Sequence, residues 1–146
     1  MLSNSCRYGL RAVIYLASQP KGAGKTGIKQ ISEDLDLPTP FLAKILQQLA
    51  KQKVLNSTKG PHGGFSLMKD PKKVTLFDIV KIIDGDEIFT NCIIRDCSCK
   101  EAEKHNDPCA LHDHYARVRT DLIELFSRTT IQNLVSKTPG TNKITI

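Results

Sequence analysis

The chain has 146 residues, of which 40% are hydrophobic and none is tryptophan, which suits one small domain and an accessory element. No apolar run approaches a membrane span and the first residues lack the regions of a signal peptide, so we expect a cytoplasmic protein without a membrane partner. Residues 1–73 carry twelve Lys and Arg against four Asp and Glu, whereas residues 74–146 carry nine against eleven. The basic half favours a polyanionic partner.

The first predicted elements are two helices that precede a tight turn. Residues 3–19 have apolar positions at three- and four-residue steps, and Pro20 ends that pattern. Residues 26–35 repeat the pattern from Ile28 onward. Pro38 stops the second helix because proline has no backbone N–H to continue the helical hydrogen bonds.

Residues 39–51 have the signals of a third helix. Thr39 is the predicted N-cap, and Pro40 takes the first helical position, where its missing N–H costs nothing. We expect one apolar stripe to face the core, formed by Phe41, Leu42, Ile45, Leu46 and Leu49. The opposite face is polar or small and carries Thr39, Ala43, Lys44, Gln47, Gln48 and Lys51.

A glycine-rich hairpin is predicted between Val54 and Met68. Its turn contains three glycines, which reach backbone angles that strain other residues, and Lys59 and His62 place donors at the tip. An amphipathic helix with a solvated polar face would explain the third helix alone. Helix, proline turn, capped helix and basic hairpin together predict a winged helix-turn-helix, which places one helix in a DNA major groove.

This unit gives a specific set of predicted contacts to double-stranded DNA. We expect Lys44, Lys51 and Lys59 to contact phosphates. Thr39 and Gln47 are expected near base edges, and His62 in the minor groove. The full predicted DNA-binding set is Thr39, Pro40, Lys44, Gln47, Lys51, Lys59, Gly60, Pro61 and His62.

The second half of the chain predicts an accessory dimerisation element. Val74 and Thr75 indicate a hydrophobic staple and cap for a helix that Gly85 ends. From about Ala110 an apolar pattern resumes, with Tyr115, Val118, Leu122, Leu125, Phe126 and Thr129 at helical spacing. The pattern is longer than so small a domain needs, which favours a dimerisation helix, with packing against the first helix as the alternative.

The predicted fold class is mainly α with a small β-hairpin: a winged helix-turn-helix plus a long C-terminal dimerisation helix. The predicted organisation is a DNA-binding domain over residues 1–85, a cysteine loop over 86–109, the dimerisation helix over 110–135 and a flexible tail over 136–146.

Four cysteines lie in the predicted loop, namely Cys92, Cys97, Cys99 and Cys109, and His112 follows the last of them by three residues. Thiolates and imidazole suit an iron–sulfur cluster or zinc. Cys109 and His112 are both expected on the first turn of the long helix. The alternative is that the cysteines are small buried hydrophobes and His112 a surface residue, but the polar loop disfavours that reading.

The order of these features resembles the Rrf-type winged-helix regulators of bacteria, which include IscR-, NsrR- and CymR-like proteins. The resemblance rests on the first-helix segment 7–12, on Ile31-Ser32, and on the recognition-helix segment 41–49. It rests further on the wing segment 59–65, which is the most specific part, and on segments 74–80, 108–112 and 130–135.

This resemblance implies a homodimeric transcription factor that senses redox state, nitric oxide or iron–sulfur status. Cluster-binding members hold a [2Fe–2S] centre through three loop cysteines and a fourth ligand, which is a histidine in IscR-like proteins. By position Cys92, Cys109 and His112 match the first, third and fourth ligands, and either Cys97 or Cys99 matches the second. Ala43 replaces the acidic residue that helps IscR-like proteins discriminate between DNA sites.

Three alternatives to a cluster follow from the same residues. The thiols could be oxidised directly, zinc could occupy the ligands, or a partner protein could be recognised, as in CymR-like relatives. Cys6 lies near the place where some NsrR-like proteins supply a ligand from the partner's first helix. An enzyme is not expected, because the chain has no phosphate-cradling glycine loop and no serine elbow.

Overall fold

Helices dominate the computed structural model, which describes residues 2–137 and has its β structure in a single hairpin. The elements in order are α1 (Asn4–Ala17), α2 (Ile28–Leu35), α3 (Thr39–Lys51), β1 (Leu55–Thr58), β2 (Gly64–Leu67), α4 (Leu76–Ile83), α5 (Glu87–Thr90), α6 (Cys99–Lys104), α7 (His112–Arg128) and α8 (Ile131–Lys137). The mainly helical fold class with a small hairpin is confirmed.

The helix α1 lies at the centre of the core, where it packs against α3, α4 and α8. Its residues Ala12, Val13 and Ile14 are buried. A Cβ atom added at Gly9 would lie 2.3 Å from Ile83 Cδ1, so glycine permits the close approach of α1 to α4.

A tight turn joins α2 to α3. Asp36 adopts the left-handed conformation with φ of 51°, and Pro38 precedes α3. The helix begins at Thr39, one residue earlier than predicted, and the predicted side-chain cap is wrong. The Thr39 hydroxyl instead lies 2.7 Å from the Ser32 hydroxyl, so a side-chain hydrogen bond joins α3 to α2.

The apolar stripe of α3 faces the core with one exception. Leu42, Ile45, Leu46 and Leu49 are buried as predicted. Phe41 is 63% exposed, so its assignment to the core is wrong. It lies 100° around the helix from Leu42, on the outer flank of the stripe, where periodicity alone does not distinguish buried from exposed positions.

The helix α4 has the predicted cap. The Thr75 hydroxyl accepts from the Asp78 backbone N–H, and the Asp78 carboxylate accepts from the Thr75 N–H, which completes a capping box. Gly85, with φ of 83°, follows the last residues of the helix, as the sequence predicted.

The helical pattern predicted from about residue 110 to 135 is divided into α7 and α8. The break lies at Thr130, which bridges to Thr75. The Leu76 N–H donates to the Thr129 carbonyl at 2.9 Å and the Ile131 N–H donates to the Val74 carbonyl at 2.8 Å. These tertiary hydrogen bonds end α7 and leave α8 to pack on α1, the alternative partner named above.

The segment over residues 86–109 contains two short helices, α5 and α6, where no periodic structure was predicted. None of the helices within residues 2–137 is long and apolar enough to cross a membrane. Most of the predicted tail, residues 138–146, lies outside the described residues, while Ser136 and Lys137 end α8.

Candidate DNA-binding surface and cysteine site

The predicted wing is confirmed as the antiparallel pair of β1 and β2. Leu55 pairs with Leu67, and Thr58 pairs with Gly64. Leu55 and Phe65 are buried against the core, while the tip of the hairpin is exposed. A Cβ atom at Gly63 would lie 2.2 Å from the Thr58 carbonyl oxygen, so the turn requires glycine at this position.

The wing is also fastened to the segment before α2, a contact that the sequence did not reveal. Thr26 and Phe65 exchange two backbone hydrogen bonds of 2.9 and 2.8 Å. Gly64 permits this approach, since its φ is 144° and an added Cβ would lie 2.3 Å from the Thr26 carbonyl oxygen. The Lys25 ammonium group donates to the Thr58 hydroxyl, which places a further cation beside the wing.

A groove runs between the start of α2, the outer face of α3 and the wing. Lys29 and Gln47 line it together with Lys59, Gly60 and Pro61 of the wing. The structure therefore brings together three predicted wing residues and one predicted residue of α3. Lys29 was not predicted, because its position on α2 gives no sign of this neighbourhood.

The predicted DNA-binding residues lie on the surface. Thr39 is half-buried because of its contact with Ser32. The other eight are exposed, namely Pro40, Lys44, Gln47, Lys51, Lys59, Gly60, Pro61 and His62. No Asp or Glu occurs from Leu37 to Lys69, so the exposed face of α3 and the wing presents only positive formal charge.

The cysteine site contains a close pair of thiols. The sulfur atoms of Cys92 and Cys109 lie 3.3 Å apart. Backbone N–H groups of Ile94 and Arg95 donate to the Cys92 sulfur and lower the pKa of this thiol to about 7. The hydrogen bond to Cys92 raises the pKa of Cys109, so Cys92 is the more acidic member of the pair.

Cys99 lies beside this pair and contacts the long helix. Its thiol contributes to the lowered pKa of Cys92, and its side chain is 3% exposed. The Arg119 guanidinium on α7 donates to the Cys99 sulfur at 2.7 Å and lies over the Tyr115 ring. Arg119 was not predicted as a site residue, and no spacing signal connects it to the cysteines.

Cys97 has a different environment from Cys99. Its carbonyl oxygen accepts a 2.8 Å hydrogen bond from the Cys92 backbone N–H, so the backbone of Cys97 helps to close the loop. The Cys97 side chain is half-buried. Thiol–thiol interactions therefore join Cys92 to Cys109 and to Cys99, and the sequence alone could not specify these pairs.

His112 is the first residue of α7, and Cys109 precedes the helix, so the expectation that both lie on its first turn is wrong. The His112 Nε2 atom lies 2.9 Å from a Glu103 carboxylate oxygen. Its Nδ1 atom is buried without a hydrogen-bond partner. One imidazole nitrogen beside the cysteine loop is therefore without a hydrogen bond, and a metal ligand requires such a nitrogen.

The donors fit a soft metal centre in their chemical type, since thiols and a buried imidazole nitrogen suit zinc or a [2Fe–2S] cluster. The positions of these side chains match such a metal centre less well than their chemical types do. Within the described part of the chain, no three His, Cys, Asp or Glu side chains converge as a ready set of metal ligands. The Cys92–Cys109 pair is the part of the site that is already assembled.

Cys6 lies apart from the loop residues in the hydrophobic cluster that contains Val80 and Phe89. Burial raises the pKa of the Cys6 thiol to about 12, with a smaller contribution from Asp84. This thiol therefore stays protonated and acts as a small apolar core residue.

Comparison with known proteins gives consistent relatives. A protein of Aquifex aeolicus named as an HTH-type transcriptional regulator is 33% identical over 136 residues, which cover 93% of this chain and 92% of the relative. The structure of CymR, titled the global cysteine regulator of B. subtilis, is 27% identical with a TM-score of 0.76, covering 95% of this chain and 98% of CymR.

A further solved structure, IscR of T. potens, shares the fold with a TM-score of 0.69 at 22% identity, covering 95% of this chain and 88% of that one. The relatives are named as transcriptional regulators and not as enzymes. The Rrf2 family, described as "Iron-dependent Transcriptional regulator", matches residues 2–137. Because this match spans nearly the whole sequence, the chain belongs to the Rrf2 family of transcriptional regulators.

Proposed function

We propose that this protein is a cytoplasmic, homodimeric regulator that binds double-stranded DNA through α3 and the wing, and that its cysteine loop controls this binding. The observation that carries the proposal is the exposed surface of α3 and the wing, which is basic and free of carboxylates from residue 37 to 69. Such a surface attracts the phosphate backbone and releases its counterions.

Individual side chains on this surface have proposed roles. The helix α3 enters the major groove, where Thr39 and Gln47 approach base edges. Lys44, Lys51 and Lys59 contact phosphates, and His62 at the wing tip enters the minor groove. Lys25 and Lys29 lie beside the wing and would add two cations to this surface.

The test replaces Lys59 by Ala and measures DNA affinity at several salt concentrations. Loss of one phosphate contact weakens binding to all sequences and reduces the slope of log affinity against log salt by about one. Lys81→Ala provides the control, since Lys81 is an exposed lysine of α4, outside both the proposed DNA-binding surface and the cysteine loop. An unchanged slope for Lys59→Ala would show that Lys59 does not contact DNA.

The proposed dimer forms along α7. Val118 and Leu125 are more than half exposed and lie seven residues apart, with Leu111 seven residues before Val118. The seven-residue spacing places Val118 and Leu125 on one side of α7, and Leu111 immediately precedes the helix, which matches a seam between two copies of α7. A twofold pair would present two recognition helices to two half-sites.

The proposed cofactor is a [2Fe–2S] cluster. Cys92, Cys99 and Cys109 would supply three thiolates and His112 the fourth ligand, after its Nε2–Glu103 contact is released or through the free Nδ1. A bound cluster would supply sensitivity to redox state or nitric oxide. The Arg119 guanidinium on α7 donates to the Cys99 sulfur. A change in the loop would therefore act directly on the proposed dimer helix.

Anaerobic purification tests the cofactor. Brown protein with visible absorbance and two iron and two sulfide per chain is expected for a [2Fe–2S] cluster. The Cys99→Ser variant should lose the cluster, and Cys97→Ser should keep it. Colourless protein that contains neither iron nor acid-labile sulfide after reconstitution would exclude the cluster, and a zinc count near one per chain would identify zinc instead.

A second candidate is a cluster-free regulator that acts through its thiols or through a partner protein. The observation that favours it is the Cys92–Cys109 pair beside a histidine already engaged by Glu103. DNA affinity should then differ between reduced, oxidised and alkylated protein free of metal. Equal affinity in all three forms would exclude direct thiol control.

A further inference from the structure

Phe41 is an exposed aromatic side chain on the proposed recognition helix. It is the third residue of α3, and its side chain is 63% exposed. Among the large hydrophobic residues exposed within residues 2–137, it is the one aromatic, and the others lie outside α3. Exposed Pro40 and Lys44 flank it on the helix.

The surroundings of Phe41 indicate what covers it. The inner face of α3 is already occupied by contacts with α1, α2, α4 and β1. The outer face lies in the segment that has lysines and no acidic residue, so its charge complements a polyanion such as the DNA phosphate backbone. The exposed apolar stripe that suits a second copy lies elsewhere, on α7.

The position of Phe41 near the start of α3 indicates which part of the DNA it would contact. The first residues of a recognition helix contact base edges in the major groove. Most groups on those edges are hydrogen-bond donors or acceptors, which a phenyl ring does not satisfy. The exception is the C5-methyl group of thymine, an apolar contact for Ala, Thr or Phe side chains.

We propose that Phe41 packs against the C5-methyl group of a thymine in each half-site and so determines part of the DNA sequence that the protein selects. This inference rests on the proposed DNA-binding function. It adds an apolar specificity contact to the polar contacts of Thr39 and Gln47. The contact removes the ring and the methyl group from water, which is favourable for both.

The experiment first selects binding sites from random double-stranded DNA with the full-length protein. Each thymine of the selected site is then replaced by deoxyuridine, which removes only the methyl group. For the wild type, one thymine per half-site should lose affinity about fourfold on replacement, the effect of one buried methyl-sized group. Phe41→Ala should bind that site more weakly and respond to the same replacement by less than twofold.

Ile94→Ala is the matched control, since the Ile94 side chain is equally exposed and the substitution keeps the backbone N–H that donates to Cys92. This variant should keep the wild-type response to deoxyuridine. Phe41→Leu, which keeps an apolar side chain, should retain part of the response and covers the case in which Phe41→Ala is unstable. Circular dichroism establishes that each variant is folded before its affinity is measured.

The outcomes separate this inference from the proposed function. If the wild type binds no DNA, both fail. If the wild type selects a site but no thymine in it is sensitive to deoxyuridine, the Phe41 contact is excluded while DNA binding stands. The same conclusion follows if Phe41→Ala responds to deoxyuridine as strongly as the wild type does.

Discussion

The cysteines of this chain differ in acidity because their surroundings differ. Cys6 is buried among apolar residues of α1, α4 and α5, where a thiolate would be poorly solvated, and its pKa is raised to about 12. Cys92 receives hydrogen bonds from two backbone N–H groups, which stabilise the thiolate and lower its pKa to about 7. The thiolate is the reactive form, so these residues should react at very different rates.

We expect iodoacetamide to alkylate Cys92 in metal-free protein with a rate that rises with pH and is half-maximal near pH 7. Because the pKa is lowered, about half of Cys92 is thiolate at that pH, whereas an ordinary thiol with a pKa of about 8.5 would be mostly protonated. Cys6 should stay unlabelled in the folded protein. Mass spectrometry of digested protein measures both rates, and a Cys92 midpoint near 8.5 would show that the backbone donors have no effect.

A second single-residue contact joins α1 to α2. The Tyr15 hydroxyl donates to the Asp34 carboxylate at 2.5 Å. This hydrogen bond lowers the pKa of Asp34, while burial and the same contact raise the pKa of Tyr15 to about 12. The bond therefore stabilises the folded state at pH values between the pKa of Asp34 and the pKa of Tyr15, where Asp34 is charged and Tyr15 is neutral.

Tyr15→Phe should reduce the free energy of unfolding by about 0.5–1 kcal/mol at pH 7, the usual net value of one partly exposed hydrogen bond. Because the folded pKa of Asp34 lies below its ordinary value, its contribution is present above that value and is lost as pH falls. The difference from wild type should therefore shrink towards pH 3 in urea titrations. Tyr8→Phe on the same helix is the control, and a pH-independent difference would contradict the assignment.

At the scale of elements, the wing shows what local sequence signals predict and what they miss. The hairpin follows from its own glycines and proline, because those residues determine turn geometry within a few positions. The Thr26–Phe65 hydrogen bonds join residues 39 positions apart, and nothing in either segment specifies the other. Lys25 and Lys29 were missed as site residues for the same reason.

Gly64→Ala should separate the wing from the segment before α2. The added Cβ would meet the Thr26 carbonyl at 2.3 Å, and alanine is strained at a φ of 144°. We expect a loss of about 1–3 kcal/mol in the free energy of unfolding and weaker DNA binding. Gly27→Ala is the control because its Cβ meets nothing within 4 Å. Equal stability of the two variants in urea titrations would contradict this account.

The helices show a second limit of sequence patterns. Periodicity predicted the buried face of α3 but placed Phe41 inside it, because a stripe has no sharp edge in sequence. It also joined α7 to α8, since Thr129 and Thr130 are not strong helix breakers. The break is made by tertiary hydrogen bonds to residues 74–76, which no local signal encodes.

At the scale of the whole molecule, α7 divides its apolar residues between two partners. Leu122 and Phe126 pack on the cluster that contains Phe89, and the Phe89 and Phe126 rings meet edge to face at 5.5 Å. Val118 and Leu125 point away from this cluster and are 56% and 58% exposed. Within residues 2–137, the predicted apolar stripe of α7 is therefore divided into an inner part that is packed and an outer part that is exposed, and the outer part is available for the proposed dimer.

The double variant Val118→Glu with Leu125→Glu should convert the proposed dimer into a monomer. Placing four carboxylates in the proposed seam would remove hydrophobic contact and add charge repulsion, because a twofold interface brings the same surface of both copies together. Thr120→Glu with Ser127→Glu is the control, because these residues have the same spacing on α7 and are also exposed. Sedimentation equilibrium measures the mass of each variant.

The wild type and the control should sediment at twice the mass of the 16.2 kDa chain, and the Val118/Leu125 variant at one chain mass. The monomer should keep its helical circular dichroism, because the inner stripe of α7 is untouched. It should also bind a single half-site about as well as one subunit of the dimer does, but lose the avidity of a two-half-site operator. A dimeric Val118/Leu125 variant would place the dimer interface on a different surface.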